Sequence, residues 1–183
     1  MHGWPGREVG VLVRWILGAV CALALAGCSP EFDWRSVEVA DGAITGVLPA
    51  RPRSETRQVD FEGHPLDLTM TMAQAGSVLF ALGHAPLPEA LRADPRAAEA
   101  LARGVIRSFY GNLGVQPPDP LPEPGERFVI EGGPVERPVR LEALVAINAR
   151  GLLEAVVTAE PGAFDRAPVR DFWLGLKIPA APR

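Results

Sequence analysis

The sequence predicts an α+β fold: an antiparallel sheet of about six to seven strands, with a long central helix and a short C-terminal helix packed on it. Apolar and polar residues alternate with period two through Leu66, Leu68, Met70 and Met72 and again through Val78, Phe80 and Leu82, the spacing of half-buried strands. From Glu89 the composition turns to alanine, leucine, arginine and glutamate with helical spacing. Beyond that stretch, apolar runs resume between glycine and proline breaks, as in a strand meander.

In chain order, residues 34–39 and 43–48 form two short extended pieces split by the turn Asp41-Gly42, and Pro49 and Pro52 end the second. Residues 56–61 form another strand before Glu62-Gly63. The period-two segments then make a hairpin. A three-residue loop, Gln74-Ala75-Gly76, pairs Met72 with Val78, Met70 with Phe80 and Leu68 with Leu82, which places the large apolar side chains on one face. In that register Met70 and Phe80 are neighbours beneath the helix, with Thr69 and Thr71 on an open face. Pro88 suits a first helical turn. Leu91, Ala98, Leu101, Val105 and Phe109 recur at helical steps, Asp94-Pro95 divides the helix or marks its start, and Gly111 and Gly114 end it.

Pro117 to Pro124 is a proline-rich connector. Residues 127–131, 139–149 and 152–159 follow as strands, separated by Gly132-Gly133-Pro134 and Arg150-Gly151. In the middle one Leu141, Ala143, Val145 and Ile147 alternate with Glu142, Leu144, Ala146 and Asn148, which implies cover on both faces near its middle. After Pro161-Gly162 a short helix offers Phe164, Val169, Phe172, Trp173 and Leu176 for docking, and the chain past Ile178 has the composition of a loose tail.

The N-terminus carries the clearest functional signal. Arg7 and Arg14 precede an uninterrupted apolar run from Trp15 to Ala24, and Leu25-Ala26-Gly27-Cys28 closes it. This resembles the lipobox of bacterial lipoprotein precursors, whose cysteine is acylated, with palmitate among the chains, and becomes the first mature residue. A secretory signal with an ordinary cleavage site is the closer competitor, and a membrane-spanning helix fits less well: Trp15 to Cys28 reaches only about 21 Å at 1.5 Å per residue, against ~30 Å of hydrocarbon. The expected organisation is a signal peptide (1–27), a lipidated tether (28–33), a single α+β domain (34–178) and a C-terminal tail (179–183). Ser29 after the cysteine resembles the sorting pattern for the outer membrane, which implies a domain facing the periplasm.

The chain carries a formal net charge of −4 and no basic run, a poor match for nucleic acid or anionic headgroups. With Cys21 in the signal and Cys28 at the lipid, the folded domain has no thiol for disulfides, nucleophilic catalysis or metal binding. There is no Gly-x-Ser-x-Gly elbow, phosphate loop or dinucleotide fingerprint; Ser77 and Ser108 fall in a strand and on a helix face. His64 and His84 become diagonal neighbours in the expected hairpin register, about 7–8 Å apart. They fit polar caps at the wet end of the strand pair better than a metal pair. Glu62, Asp67 and Glu89 lie near them without ligand spacing. Met70 and Met72 read as core rather than a pliable ligand lining. Trp34 and Trp173, near the two ends of the domain, are placed to pack together and close it.

Phe32-Asp33-Trp34-Arg35, Leu48-Pro49-Ala50-Arg51-Pro52 and Leu68-Thr69-Met70-Thr71-Met72 resemble a group of small proteobacterial lipoproteins of unknown function. More loosely, the element order is similar to the PsbP-like architecture, an antiparallel sheet covered by helices, from which the insert Pro117 to Pro124 and the polar tail depart. The resemblance implies a fold and a compartment, and no activity. The expected function is therefore a lipid-anchored, envelope-facing lipoprotein with a non-catalytic accessory or interaction role. It would attach to the membrane through Cys28 and have an envelope protein as its partner, with no catalytic residue, cofactor or metal assigned. The alternative is a lipid-anchored binder of a small apolar ligand between sheet and helix, with a hydrolytic enzyme ranked below both.

Overall fold

A computed structural model describes residues 32–61, 63–166 and 168–179. The expected signal peptide, Cys28, Glu62 and the end of the tail lie outside the described residues. The elements are β1 (Arg35–Val39), β2 (Ile44–Leu48), β3 (Arg53–Phe61), β4 (His64–Ala75), β5 (Val78–Ala85), α1 (Glu89–Ala93), α2 (Pro95–Asn112), β6 (Arg127–Gly132), β7 (Val139–Asn148), β8 (Gly151–Ala159), a 3-10 turn (Pro161–Arg166) and α3 (Val169–Gly175). The fold is α+β, as the sequence predicts. Six strands form one antiparallel sheet in the order β3-β4-β5-β8-β7-β6, and β1 and β2 form a separate two-stranded sheet.

The helix divides where the sequence allowed. Asp94 leaves the helical conformation and its carboxylate accepts hydrogen bonds from the backbone N–H groups of Arg96 and Ala97, while Pro95 occupies the first position of α2. Leu101, Ala102, Val105, Ile106 and Tyr110 then face the sheet. They pack on Leu66, Phe128, Ile130, Val145 and Leu152 in one core layer.

The β4–β5 hairpin differs from the sequence expectation in a way that reorganises the core. Its loop has two residues, Gly76-Ser77, so Ala75 pairs with Val78, Ala73 with Phe80, Thr71 with Leu82 and Met70 with Gly83. Ser77 is thus a turn residue. The odd shift in register sends the two apolar sets to opposite faces. Leu66, Leu68, Met70 and Met72 lie in the layer under α2, whereas Val78, Phe80 and Leu82 lie in a second core layer on the other side. Phe80 meets Phe172 of α3 at 5.5 Å between ring centroids rather than Leu101 and Val105.

That second layer consists of Val39, Ile44, Leu48 and Phe172 laid over Leu153, Ala155 and Val157 of β8. Two close approaches seat it. A Cβ on Gly175 would lie 2.6 Å from the Val47 side chain, so α3 touches β2 where it has none. The backbone of Thr45 exchanges two hydrogen bonds with Lys177, at 3.0 and 2.8 Å, which fastens the C-terminal segment to β2. Where the second layer stops, over β3 and β4, that face becomes polar: Ser54 bonds Thr71 at 2.9 Å and Thr56 bonds Thr69 at 2.8 Å.

Candidate functional site

The concavity with the most distinctive chemistry lies on the same face as α3, at the opposite edge of the sheet. Arg127 on β6 and Arg140 and Glu142 on β7 share that face by strand register. The 3-10 turn brings Phe164 over them and α3 brings Trp173, Arg170 and Leu174, enclosing a cleft of about 740 Å³. A second cleft of about 490 Å³ shares Arg127 and Trp173 with the first and continues along Leu144, Ala146, Leu176 and Ile178. One end of the groove is cationic and aromatic, the other aliphatic.

The cationic end is fixed. Arg140 donates to Glu131 at 2.9 Å and to Glu142 at 3.0 Å, and its guanidinium stands 5.1 Å from the Phe164 ring centroid. The hydrogen bond to Glu142 raises its pKa further, so its charge is permanent. Arg127 stands 5.3 Å over the Trp173 ring. Yet the Arg140 Nε and Trp173 Nε1 donors are buried with no hydrogen-bond partner, the two side-chain atoms so placed among the described residues. A buried unsatisfied donor costs about 1–3 kcal/mol, and both lie on residues that line this one cleft. Arg127, Arg140 and Arg170 stand there against Glu142 in the lining and Glu131 paired with Arg140 beside it, a surplus of one positive charge in a chain that is acidic as a whole.

A second cavity, of about 670 Å³, opens at the other side of β7. β6 ends its pairing opposite Leu144, so the end of β7 has no strand beyond it. Leu87, Leu91 and Ala98 approach from α1 and α2, and Glu123, Pro124 and Gly125 form its rim. Arg103 of α2, paired with both Glu99 and Glu123, holds the proline-rich connector in place.

Glu154 is the third unusual feature. It sits on β8 between Gly83 and Val145 of the flanking strands, 5% exposed, in the layer under α2. Desolvation raises its carboxyl pKa to about 7. Gly83 makes the room: a Cβ there would lie 2.7 Å from the Met70 sulfur and 3.1 Å from the Glu154 Cβ.

The residues singled out in the sequence are dispersed. His84 pairs with Thr69, not Leu66, and His64 pairs with Phe61. They are therefore separated by about 17 Å of strand and lie on opposite faces. His84 has its Nε2 at 2.9 Å from the Arg150 carbonyl oxygen. Trp34 lies tilted beside Phe32 at 6.2 Å between centroids and Trp173 meets Phe172 edge to face at 5.1 Å, so the two tryptophans serve separate clusters instead of closing the domain together. Met70 and Met72 are partly buried against the α2 layer, and the Ser108 hydroxyl donates to the Val105 carbonyl at 2.7 Å. No three His, Cys, Asp or Glu side chains gather as metal ligands among the described residues. No described helix is long and apolar enough to cross a membrane.

The sequence reading missed Arg127, Arg140 and Glu154. An acid inside the apolar run from Leu152 to Val157 was a visible signal for the last. The two arginines carried none, because arginine at alternate strand positions normally marks a solvated face. Compared with known proteins, the chain matches no family model, no curated protein and no solved structure.

Proposed function

We propose that the protein is a lipid-anchored, envelope-facing lipoprotein that acts by binding, as an accessory protein held on the periplasmic side of the outer membrane through Cys28. The observation that carries this reading is Leu25-Ala26-Gly27-Cys28 at the end of an apolar run preceded by Arg7 and Arg14. The makeup of the cleft supports the binding half. Its guanidinium groups do not exchange protons near neutral pH, its indole and phenyl rings offer no acid or base, and its carboxylate, Glu142, is tied to Arg140 at 3.0 Å, which favours recognition over reaction.

Stable attachment needs more than one acyl chain, each buried methylene contributing about 0.8 kcal/mol. Metabolic labelling with a palmitate analogue is expected to mark the protein, and Cys28→Ala is expected to remove the mark. Label that persists in the alanine variant rejects Cys28 as the site, and an unlabelled wild type rejects the anchor. A second reading, a binder of a small apolar ligand between sheet and helix, is supported by the cavity of about 670 Å³ beside Leu87, Leu91 and Ala98.

A further inference from the structure

We infer that the groove between α3 and the β6–β7 edge is a binding site for a free, single-chain anionic amphiphile, a carboxylate on an alkyl chain. Its head would lie among Arg127, Arg140 and Arg170, and its chain along Leu144, Ala146 and Leu176. This deepens the binding role proposed above and is independent of lipidation at Cys28, which the labelling experiment tests separately.

Two unlike halves meet in this groove, and each excludes a different class of ligand. The cationic half is lined by the guanidinium groups of Arg127, Arg140 and Arg170, and beside it the Arg140 Nε and the Trp173 indole Nε1 are buried without a hydrogen-bond partner. A ligand satisfying them must bring acceptors, and the surplus of guanidinium over carboxylate favours a negative charge. Glu131 and Glu142 each accept one hydrogen bond from a terminal nitrogen of Arg140, which leaves three of its five N–H donors, the Nε–H among them. A compact anion such as phosphate would satisfy that end and leave the aliphatic half in water. Arg127 and Trp173 line both cavities, so the polar and apolar halves are continuous rather than two separate sites. An alkyl chain leaving the head past the Trp173 ring enters the 490 Å³ cleft directly. A neutral alcohol would fill the apolar half but return no charge to the guanidinium groups. The combination selects an acid with a tail.

Equilibrium dialysis of radiolabelled octanoate tests this, using the full-length chain in zwitterionic nanodiscs with empty nanodiscs as the blank. Saturable binding is expected, tightening about fourfold per methylene from butanoate to octanoate. Octanol and octylammonium are expected to compete at least tenfold more weakly. Arg127 and Arg170 are exposed, so the pair Arg127→Gln and Arg170→Gln should melt as the wild type does while weakening octanoate at least tenfold. Octanoate affinity unchanged in that double variant would overturn the inference, as would equal competition by octanol. Inorganic phosphate competing as well as octanoate would overturn the amphiphile in favour of a plain anion. Nanodiscs of anionic phospholipid separate a free ligand from a membrane headgroup. Unchanged octanoate affinity is expected there, and its loss would reassign the groove to headgroups.

Discussion

The two faces of the central sheet are made by the same strands and finished in opposite ways. Under α2 the cover is one long amphipathic helix, and the layer beneath it is apolar from Leu66 to Ile130 with Glu154 as its buried acid. On the other face the cover is pieced together from β1, β2, the 3-10 turn and α3, and it reaches only part of the way across. The uncovered margins differ in turn. One is a ladder of Ser and Thr hydroxyls on β3 and β4, and the other is the arginine groove on β6 and β7. The long helix covers its face continuously and leaves its cavity of about 670 Å³ only at the margin, where β7 runs past β6. A cover assembled from short pieces leaves seams, and in this molecule the seam is where unpartnered donors and cations collect.

The largest effect that would break this comparison concerns Phe80. It is fully buried, and truncation to alanine is expected to cost about 3–5 kcal/mol in urea melts. The magnitude alone does not distinguish the faces, but coupling does. Phe80 lies against Phe172 on the pieced-together side, so Phe80→Ala and Phe172→Ala should be non-additive by about 0.5–3 kcal/mol. Phe80→Ala with Leu101→Ala, across the sheet, should be nearly additive. The reverse pattern would restore the three-residue loop and place Phe80 under α2.

That register shows how far the sequence was legible. The positions of the strands, the break at Asp94-Pro95 and the turn at Asp41-Gly42 follow from period, capping and punctuation, all local. The pairing of β4 with β5 does not. Placing both apolar sets on one face is sound only for a sheet with a single covered side, and this sheet has two. The residues alternating with Phe80, Leu82 and His84 held the counter-signal: Ala81, Gly83 and Ala85 are small because that side of β5 is covered too, with Met70 lying against Gly83. The groove was illegible for another reason. Arg127, Arg140 and Trp173 come from β6, β7 and α3, and only the tertiary arrangement brings them together.

Glu154 gives the next largest effect and sharpens the contrast from the sealed side. Its folded pKa of about 7 lies above the 4.5 of the free group, so the folded state holds this proton more tightly than the unfolded chain. Stability from this group is present below pH 4.5, falls as pH rises and is lost through pH 7, amounting to about 3 kcal/mol. Melts from pH 5 to pH 8 are expected to show the decline in the wild type and not in Glu154→Leu. The leucine variant should be the more stable of the two at pH 8, since removing a buried unpaired charge relieves its desolvation. Parallel curves would mean that water or a cation reaches the carboxylate and that the helix side is not sealed.

The smallest expected effects belong to the histidines, and they test the register independently of the core. His84 has a ring nitrogen 2.9 Å from the Arg150 carbonyl oxygen, at the turn that joins β7 to β8. Loss of one such bond at a partly exposed site is worth about 0.5–1.5 kcal/mol, and His84→Ala should fall in that range. Arg150-Gly151 tolerates little rearrangement to compensate. Gly151 adopts φ +144°, and a Cβ there would lie 2.3 Å from the Ala85 carbonyl oxygen and 3.0 Å from the His84 Nε2. His64, on the other face and about 17 Å along the strand, pairs with Phe61 across the β3–β4 turn, and His64→Ala should change stability by less than about 0.5 kcal/mol. The double variant should equal the sum of the singles within about 0.5 kcal/mol, as for sites that share no partner. Coupling larger than that would bring the imidazoles back into contact and put His64 and His84 at one end of one hairpin. Octanoate binding should be unchanged in the same double variant, because neither ring lines the groove between α3 and β7.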